Sequence, residues 1–463
     1  MFTPQKQVKT ALRHFYHSRL AVIFESIIIG FFAGCAVVLF RYLITKADIF
    51  RPRVYRFLFV SPFYWKLIWG AVLVLLGLFL GFASKVKPLI KGSGIPQVKG
   101  VLLGCLPDAW MPELPLKMIT GFIALAAGLS LGREGPSIQI AAFTGMALAS
   151  AFKQSQPQKN TLICAASAAG LSAAFNAPLA GVLFVLEELQ PGFSPLLIAC
   201  AMGASMTAEV VANFFLGTNT AFNFYHITPL PLIQIPWIIL LGIICALAGG
   251  LFKHSLYTSQ DIYNNSRIPQ VFRPIIPLLV SIPLTFYFAD ITAGGHGLIE
   301  SLAETSRDTL TLCMLLAGKI LFTALCYGSG TAGGIFLPLL ACGALTGYTM
   351  GHLLVQFNII GNEWILNYII LGMTAFFTTV VKAPVTGIVL ILEMSGNFNH
   401  LNSLVMVSLS GLIMSDIIAS PPVYAVLLNR LLGKHAGGKT DDGPSASSAK
   451  DKQDKPDAQD GPK

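Results

Sequence analysis

Charge is scarce in this chain. Asp, Glu, Lys and Arg together make up 11% of 463 residues, while hydrophobic residues reach 54%. An ordinary soluble enzyme is excluded by that balance. Cys35, Cys105, Cys164, Cys200, Cys245, Cys313, Cys326 and Cys342 stand singly in apolar stretches. Without Cys-x-x-Cys or a His/Cys cluster, neither a zinc site nor a disulfide framework is supported, and the thiols read as small core residues. No metal and no cofactor is expected. His-Glu-x-x-His is missing too, and Gly328-Ser329-Gly330 has no evident base beside it, which leaves little for an intramembrane hydrolase. The net charge is +9, but its basic residues are spread out rather than patched. They fit the cytoplasmic loops of a membrane protein, not nucleic-acid binding.

Apolar runs are present instead, recurring from Leu20 to Leu432. Ile227 to Phe252 holds no charged residue over 26 positions, long enough to cross a bilayer, and Leu20 to Phe40 holds only Glu25. Others, such as Ala177 to Leu186, suit buried or re-entrant helices. Residues 1–19 form a basic segment with no acid and no evident cleavage site, expected to be cytoplasmic. Residues 434–463 hold six Lys and six Asp with four Ala as their only hydrophobic residues, so a disordered tail is expected.

One phrase occurs twice. Asn176-Ala-Pro-Leu-Ala-Gly-Val-Leu-Phe-Val-Leu-Glu-Glu returns 206 residues later as Lys382-Ala-Pro-Val-Thr-Gly-Ile-Val-Leu-Ile-Leu-Glu-Met. Gly132, Pro136, Thr144 and Gly145 likewise match Gly334, Pro338, Thr346 and Gly347. Repeated, Gly/Pro-interrupted apolar segments point to a transporter's binding site. Three segments share a composition: Gly92-Ser-Gly-Ile-Pro96, Gly132-Arg-Glu-Gly-Pro136 and Gly334-Ile-Phe-Leu-Pro338. Glycine allows close backbone approach, and proline suits the first turn of a helix. Helix N-termini offer unpaired N–H groups and partial positive charge, so several converging in a membrane would hold an anion weakly enough to release it.

These residues resemble the CLC family of chloride channels and chloride/proton antiporters, whose motifs read GSGIP, GREGP and GxFxP. The likeness covers roughly Leu20 to Leu432 and includes Tyr424 in Pro422-Val-Tyr-Ala. It implies an all-α polytopic membrane protein of about sixteen to eighteen broken and tilted helices in two inverted-topology repeats. We expect a transmembrane domain at 20–433, with repeat halves at roughly 60–220 and 270–433. The resemblance further implies a homodimer with one pore per subunit in a cell membrane (the inner membrane if the cell is Gram-negative), with both termini cytoplasmic. Chloride and protons are then the transported partners, and secondary exchange is the expected activity. A passive channel, or an antiporter preferring nitrate or fluoride, is the alternative.

By the same resemblance Ser93, Tyr424 and the amides of Ile335 and Phe336 ligate the anion. Gly92, Gly94, Pro96, Arg133, Gly135, Pro136, Gly334 and Pro338 shape the motifs, and Lys117 makes the site electropositive unless it snorkels to the interface. Glu134 is the sharpest candidate, because a carboxylate beside helix-end amides mimics the anion when ionised and loses that hold when protonated. A structural Arg133–Glu134 pair is the competing reading, weakened because neighbours on a helix do not face one another. Glu187 aligns with Glu393 and reads as a structural tie between helix ends. Glu188 aligns with Met394, so it is peculiar to the first half, and the resemblance makes it the inner proton glutamate. Lys319, Asp416 and Glu209 stay unassigned. Small-xxx-small spacings at Gly203/Thr207 and Ala204/Ala208 suit close helix packing.

Overall fold

The structure, a computed structural model, describes residues 4–435 apart from 219–220, 223, 225–227 and 306, with side chains from 19 to 433. The tail expected at 434–463 lies outside the described residues beyond His435. Residues 1–3 of the basic segment lie outside them too, and its remaining backbone opens the first helix. Among the described residues there are seventeen α-helices, within the number expected, and no strand beyond two isolated bridges. They are α1 (Pro4–Val60), α2 (Phe63–Val86), α3 (Ile95–Leu102), α4 (Glu113–Ala126), α5 (Glu134–Ala151), α6 (Gln156–Phe175), α7 (Pro178–Phe184), α8 (Pro195–Leu216), α9 (Ile235–Asn265), α10 (Ile275–Tyr287), α11 (His296–Glu304), α12 (Thr309–Gly328), α13 (Phe336–Gln356), α14 (Ile365–Val381), α15 (Pro384–Ser395), α16 (Leu401–Ile417) and α17 (Val423–His435).

Proline sets many of the starts. It occupies the first turn of α3, α6, α7, α8, α9 and α15, where its missing N–H costs nothing. Among the described residues, nine helical segments are long and apolar enough to cross a membrane. Within the apolar run a 3-10 turn at Leu232–Gln234 leads into α9, which continues past Phe252 to Asn265 with Lys253 buried against the carbonyls of Thr379 and Pro421. The span within α1, Arg19–Val60, has 42 residues. At about 1.5 Å per residue it is roughly twice as long as the hydrocarbon core is thick, so it tilts or overshoots. By contrast α3, α7 and α11 have 8, 7 and 9 residues, too few to cross. Large side chains such as Phe24, Leu75 and Phe214 are exposed on the outer helices, a surface suited only to lipid. The molecule is therefore a multi-pass membrane protein.

The packing is written twice. Within the first eight helices α1 packs on α8 and α6, α5 on α6, α6 on α7 and α8, and α3 on α5. Eight helices later α9 packs on α16 and α14, α13 on α14, α14 on α15 and α16, and α11 on α13. The halves meet through equivalent partners. Glu187, just beyond α7, accepts hydrogen bonds from Val385 N, Thr386 N and Thr386 Oγ1 at the start of α15 (3.1, 2.7 and 2.6 Å). Glu393, near the end of α15, accepts from Leu179 N and Ala180 N at the start of α7 (3.0 and 2.8 Å). Each helix end thus caps the other's beginning, which requires α7 and α15 to run antiparallel. Related elements point opposite ways, and the repeat is inverted. The tie expected for Glu187 and Glu393 is present.

Small residues let the helices close up. A Cβ on Gly347 would collide with the Tyr368 carbonyl, and one on Gly343 would lie 2.5 Å from that of Gly372, so α13 and α14 cross backbone to backbone. The Ala204/Ala208 spacing serves the same purpose inside the subunit, meeting Gly30 and Gly34 of α1. Not every cysteine is a core residue. Cys164, Cys200, Cys245, Cys326 and Cys342 are buried, but Cys105 and Cys313 are exposed, in a loop and on a lipid-facing turn.

Candidate functional site

Three glycine-bearing loops converge where α3, α5 and α13 begin. Gly92 N donates to Thr331 O and Gly333 N donates to Gly92 O, both at 3.0 Å. Gly132 N donates to Gly334 O at 2.6 Å and Gly334 N to Gly132 O at 2.8 Å, so repeat-equivalent residues bond each other. Contact is too tight for side chains: a Cβ on Gly135 would lie 2.9 Å from Ser93 Cβ. Gly92 and Gly94 adopt φ of +60° and +91°, the left-handed region that glycine tolerates.

Ser93 is 1% exposed, and Ile335, Phe336 and Tyr424 are fully buried. Tyr424 stands on the first turn of α17, which packs on α3, and lies within electrostatic reach of Glu134, Glu188 and Tyr327. Neither Ser93 Oγ nor Tyr424 Oη has a hydrogen bond of normal geometry, although the Tyr327 phenol lies beside Ser93. The Phe336 ring is walled by Phe377 and Phe175, at centroid distances of 4.9 and 5.3 Å. Buried hydroxyls left without partners in an apolar cage are donors waiting for an acceptor. A polar cavity of about 740 Å³ opens beside Gly92 and Tyr327, bordered by Lys91, Arg273 and Arg430 with Asp261.

Glu134 opens α5 with its carboxylate wholly buried. The nearest backbone donors are its own amide and that of Leu337 in the first turn of α13, yet both oxygens lack a hydrogen bond of normal geometry. Arg133 Nε stands 3.8 Å from Oε1, so the neighbours do approach. Adjacency on a helix does not keep the two apart here, because Arg133 is the N-cap residue ahead of α5 rather than a member of the helix. The contact remains an ion pair without a hydrogen bond, since Arg133 Nε is itself unpartnered.

Lys117 does not snorkel. It is fully buried, and its Nζ donates to Ile90 O and Gly92 O at 2.9 and 2.7 Å, pinning the loop ahead of α3. Lys319, unassigned from sequence, is its repeat mate 202 residues on, and pins Ile291, Thr292 and Ala293 carbonyls ahead of α11. Asp416 pairs with Lys382, and Glu209 lies against Asn213. Ser329 Oγ donates to Cys326 O at 2.6 Å, which removes it as a nucleophile.

Glu188 lies in a π-helical turn, Val185–Leu189, and is 4% exposed. Its partner was missed. Lys99 Nζ of α3 donates to Glu188 Oε1 at 2.8 Å and supplies its counter-ion. Spacing gave no warning, because 89 residues separate the two. The π turn packs on α3, and neighbouring helical positions face different ways, so Glu188 meets Lys99 while Glu187 reaches α15. Two buried acids thus flank the cage, one at the α5 start and one behind α3.

A family model described as voltage gated chloride channel matches residues 78–416. The chain is 32% identical over 434 residues to the H(+)/Cl(-) exchange transporter ClcA of Vibrio cholerae, covering 89% of this chain and 90% of that one. It is 33% identical over 375 residues to the ClcA of Vibrio parahaemolyticus, covering 78% and 79%. Among solved structures, a slow cyanobacterial Cl-/H+ antiporter superposes with a TM-score of 0.85 at 28% identity, covering 90% of this chain and 99% of that one. On the match of the family model, the extent of the ClcA likeness and the shared fold, the chain belongs to the voltage-gated chloride channel family, the CLC family its motifs resemble.

Proposed function

We propose that this protein exchanges chloride for protons across a membrane. Ser93 Oγ, Tyr424 Oη and the amides of Ile335 and Phe336 ligate the anion, Glu134 is both gate and outer proton carrier, and Glu188 is the inner proton station. One observation carries the reading. The Glu134 carboxylate lies at the start of α5 against the Leu337 amide, the place an anion would take, paired at 3.8 Å with Arg133 and accepting no hydrogen bond. Ionised, it is favoured there by the ends of two helices. Protonated, it loses that attraction and yields the place to chloride. The anion leaves toward the polar cavity beside Gly92, while the proton passes to Glu188 by a separate inner route. The exchange activity of the ClcA relatives supports the same reading. Two copies per assembly with one pore each, a cell-membrane location and cytoplasmic termini complete the proposal.

The test uses purified protein in liposomes, with chloride and pH recorded together under opposing gradients. Glu134→Ala gives a chloride leak that ignores pH, and Glu188→Gln abolishes proton movement while chloride still flows. A wild-type reversal potential insensitive to the pH gradient refutes exchange in favour of a channel.

A further inference from the structure

The short helices α3 and α11 are repeat mates, and the second carries chemistry that the anion site does not use. Both follow a glycine in the left-handed region, Gly94 at φ +91° and Gly295 at φ +110°. Both are preceded by a loop whose carbonyls a buried lysine holds, Lys117 and Lys319. The fifth residue of each is ionisable. In α3 it is Lys99, paired with Glu188. In α11 it is Glu300, whose Oε2 lies 3.4 Å from Nδ1 of His296, the first residue of that helix.

His296 is placed beside Glu134. Ala293 N donates to Gly128 O at 2.9 Å, fastening this loop to the segment that leads into Gly132. A Cβ on Gly294 would lie 2.8 Å from the Leu337 side chain and 3.1 Å from Leu131 O, and the Glu134 carboxylate borders Gly132 and the Leu337 amide. The imidazole is within Coulombic reach of Glu134. Its ring packs on Phe222 at 4.9 Å between centroids. The side chain is 34% exposed, whereas Glu134 is 0% exposed, so the histidine stands between solvent and the buried acid.

The geometry points to His296, steadied by Glu300, as the outer proton relay that loads and unloads Glu134. This rests on the gate reading of Glu134. The imidazolium gives its Nε2 proton through intervening water to the Glu134 carboxylate, which it does not contact directly, leaving a neutral ring whose Nδ1–H still faces Glu300 and a neutral acid that leaves the anion's place. External water then returns a proton to Nε2. Charge and protons balance, and histidine is the side chain that changes charge in the neutral range. The other charged groups around it are Arg133 and Glu134 at the α5 start, Lys319 behind Gly295, and the Asp290–Arg307 pair beside the turn before α11. From α13 come Leu337 and Ala341, neither of which titrates.

The experiment measures chloride-driven proton flux in liposomes with the pH varied equally on both sides. Wild-type flux falls as pH rises through the neutral range. His296→Gln slows it at least about tenfold near pH 6.5 and flattens that limb. Glu300→Gln keeps the ring but removes the carboxylate that steadies Nδ1, so the flux falls by a smaller factor than in His296→Gln. In a Glu134→Ala background, His296→Gln leaves the chloride leak unchanged. An unaltered pH profile in His296→Gln overturns the relay, and so does a slowed leak in the double variant, which would make His296 part of the anion path. If Glu134→Ala alone keeps strict coupling, the gate reading fails instead, and the two failures are distinguishable.

Discussion

The exchanged caps make a quantitative prediction about stability. Glu187→Ala removes an acceptor of three hydrogen bonds from α15, and Glu393→Ala removes an acceptor of two from α7. Hydrogen bonds to a charged group contribute roughly 1.5–3 kcal/mol each, and both carboxylates are only partly buried, so the lower end applies. Glu187→Ala therefore costs about 4.5 kcal/mol and Glu393→Ala about 3 kcal/mol, each value already including the favourable dipole term of a helix start. Glu187→Gln keeps one acceptor oxygen without the charge and costs about half as much. The caps lie at opposite ends of the antiparallel pair, so the double variant is additive to within about 0.5 kcal/mol. Reversible unfolding of purified protein in mixed micelles, followed by tryptophan fluorescence, reads these differences. A Glu187→Gln variant as stable as wild type, or a Glu393→Ala cost exceeding that of Glu187→Ala, refutes the reasoning.

Two further outcomes follow from contacts described above. Lys99→Met leaves the Glu188 carboxylate buried without its counter-ion and costs about 3 kcal/mol, because breaking a buried pair strands a charge. Adding Glu188→Gln recovers most of that loss in the same unfolding assay, and a single variant as stable as wild type counts against the pair. Gly347→Val drives a branched side chain into the Tyr368 carbonyl, so the protein fails to accumulate as a monodisperse species in size-exclusion chromatography, whereas the exposed Gly433→Val expresses normally.

Much of the site was legible because proline and glycine mark the places where a membrane helix is interrupted. The starts of α3, α5, α7, α13 and α15 were all visible that way. Helices buried on every side carry no apolar stripe, so periodicity could not set the ends of α6, α13 or α14. The run ending at Phe252 marked a spanning helix but not its end, because the charge of Lys253 that closes the apolar stretch is buried within α9. Lys319 was within reach of arithmetic, being displaced from Lys117 by the same 202 residues as Gly334 from Gly132. It was hidden because α11 has Gly294 where α3 has Ser93, which erases the motif but keeps the fold. Lys99 could not be found at all, since its contact with Glu188 joins elements 89 residues apart that only the packing of α3 against that turn brings together.

The mutual hydrogen bonds between Gly132 and Gly334 bear on how the transporter moves. Many carriers expose their cargo alternately by rocking one lobe against the other about a hinge. Here the pivot would have to be the pore itself, and swinging the lobes apart would tear the peptide pairs that line it. Transit must then rely on rotations of single side chains within an otherwise fixed frame. Cross-links bridging the two lobes at their periphery should accordingly leave turnover intact.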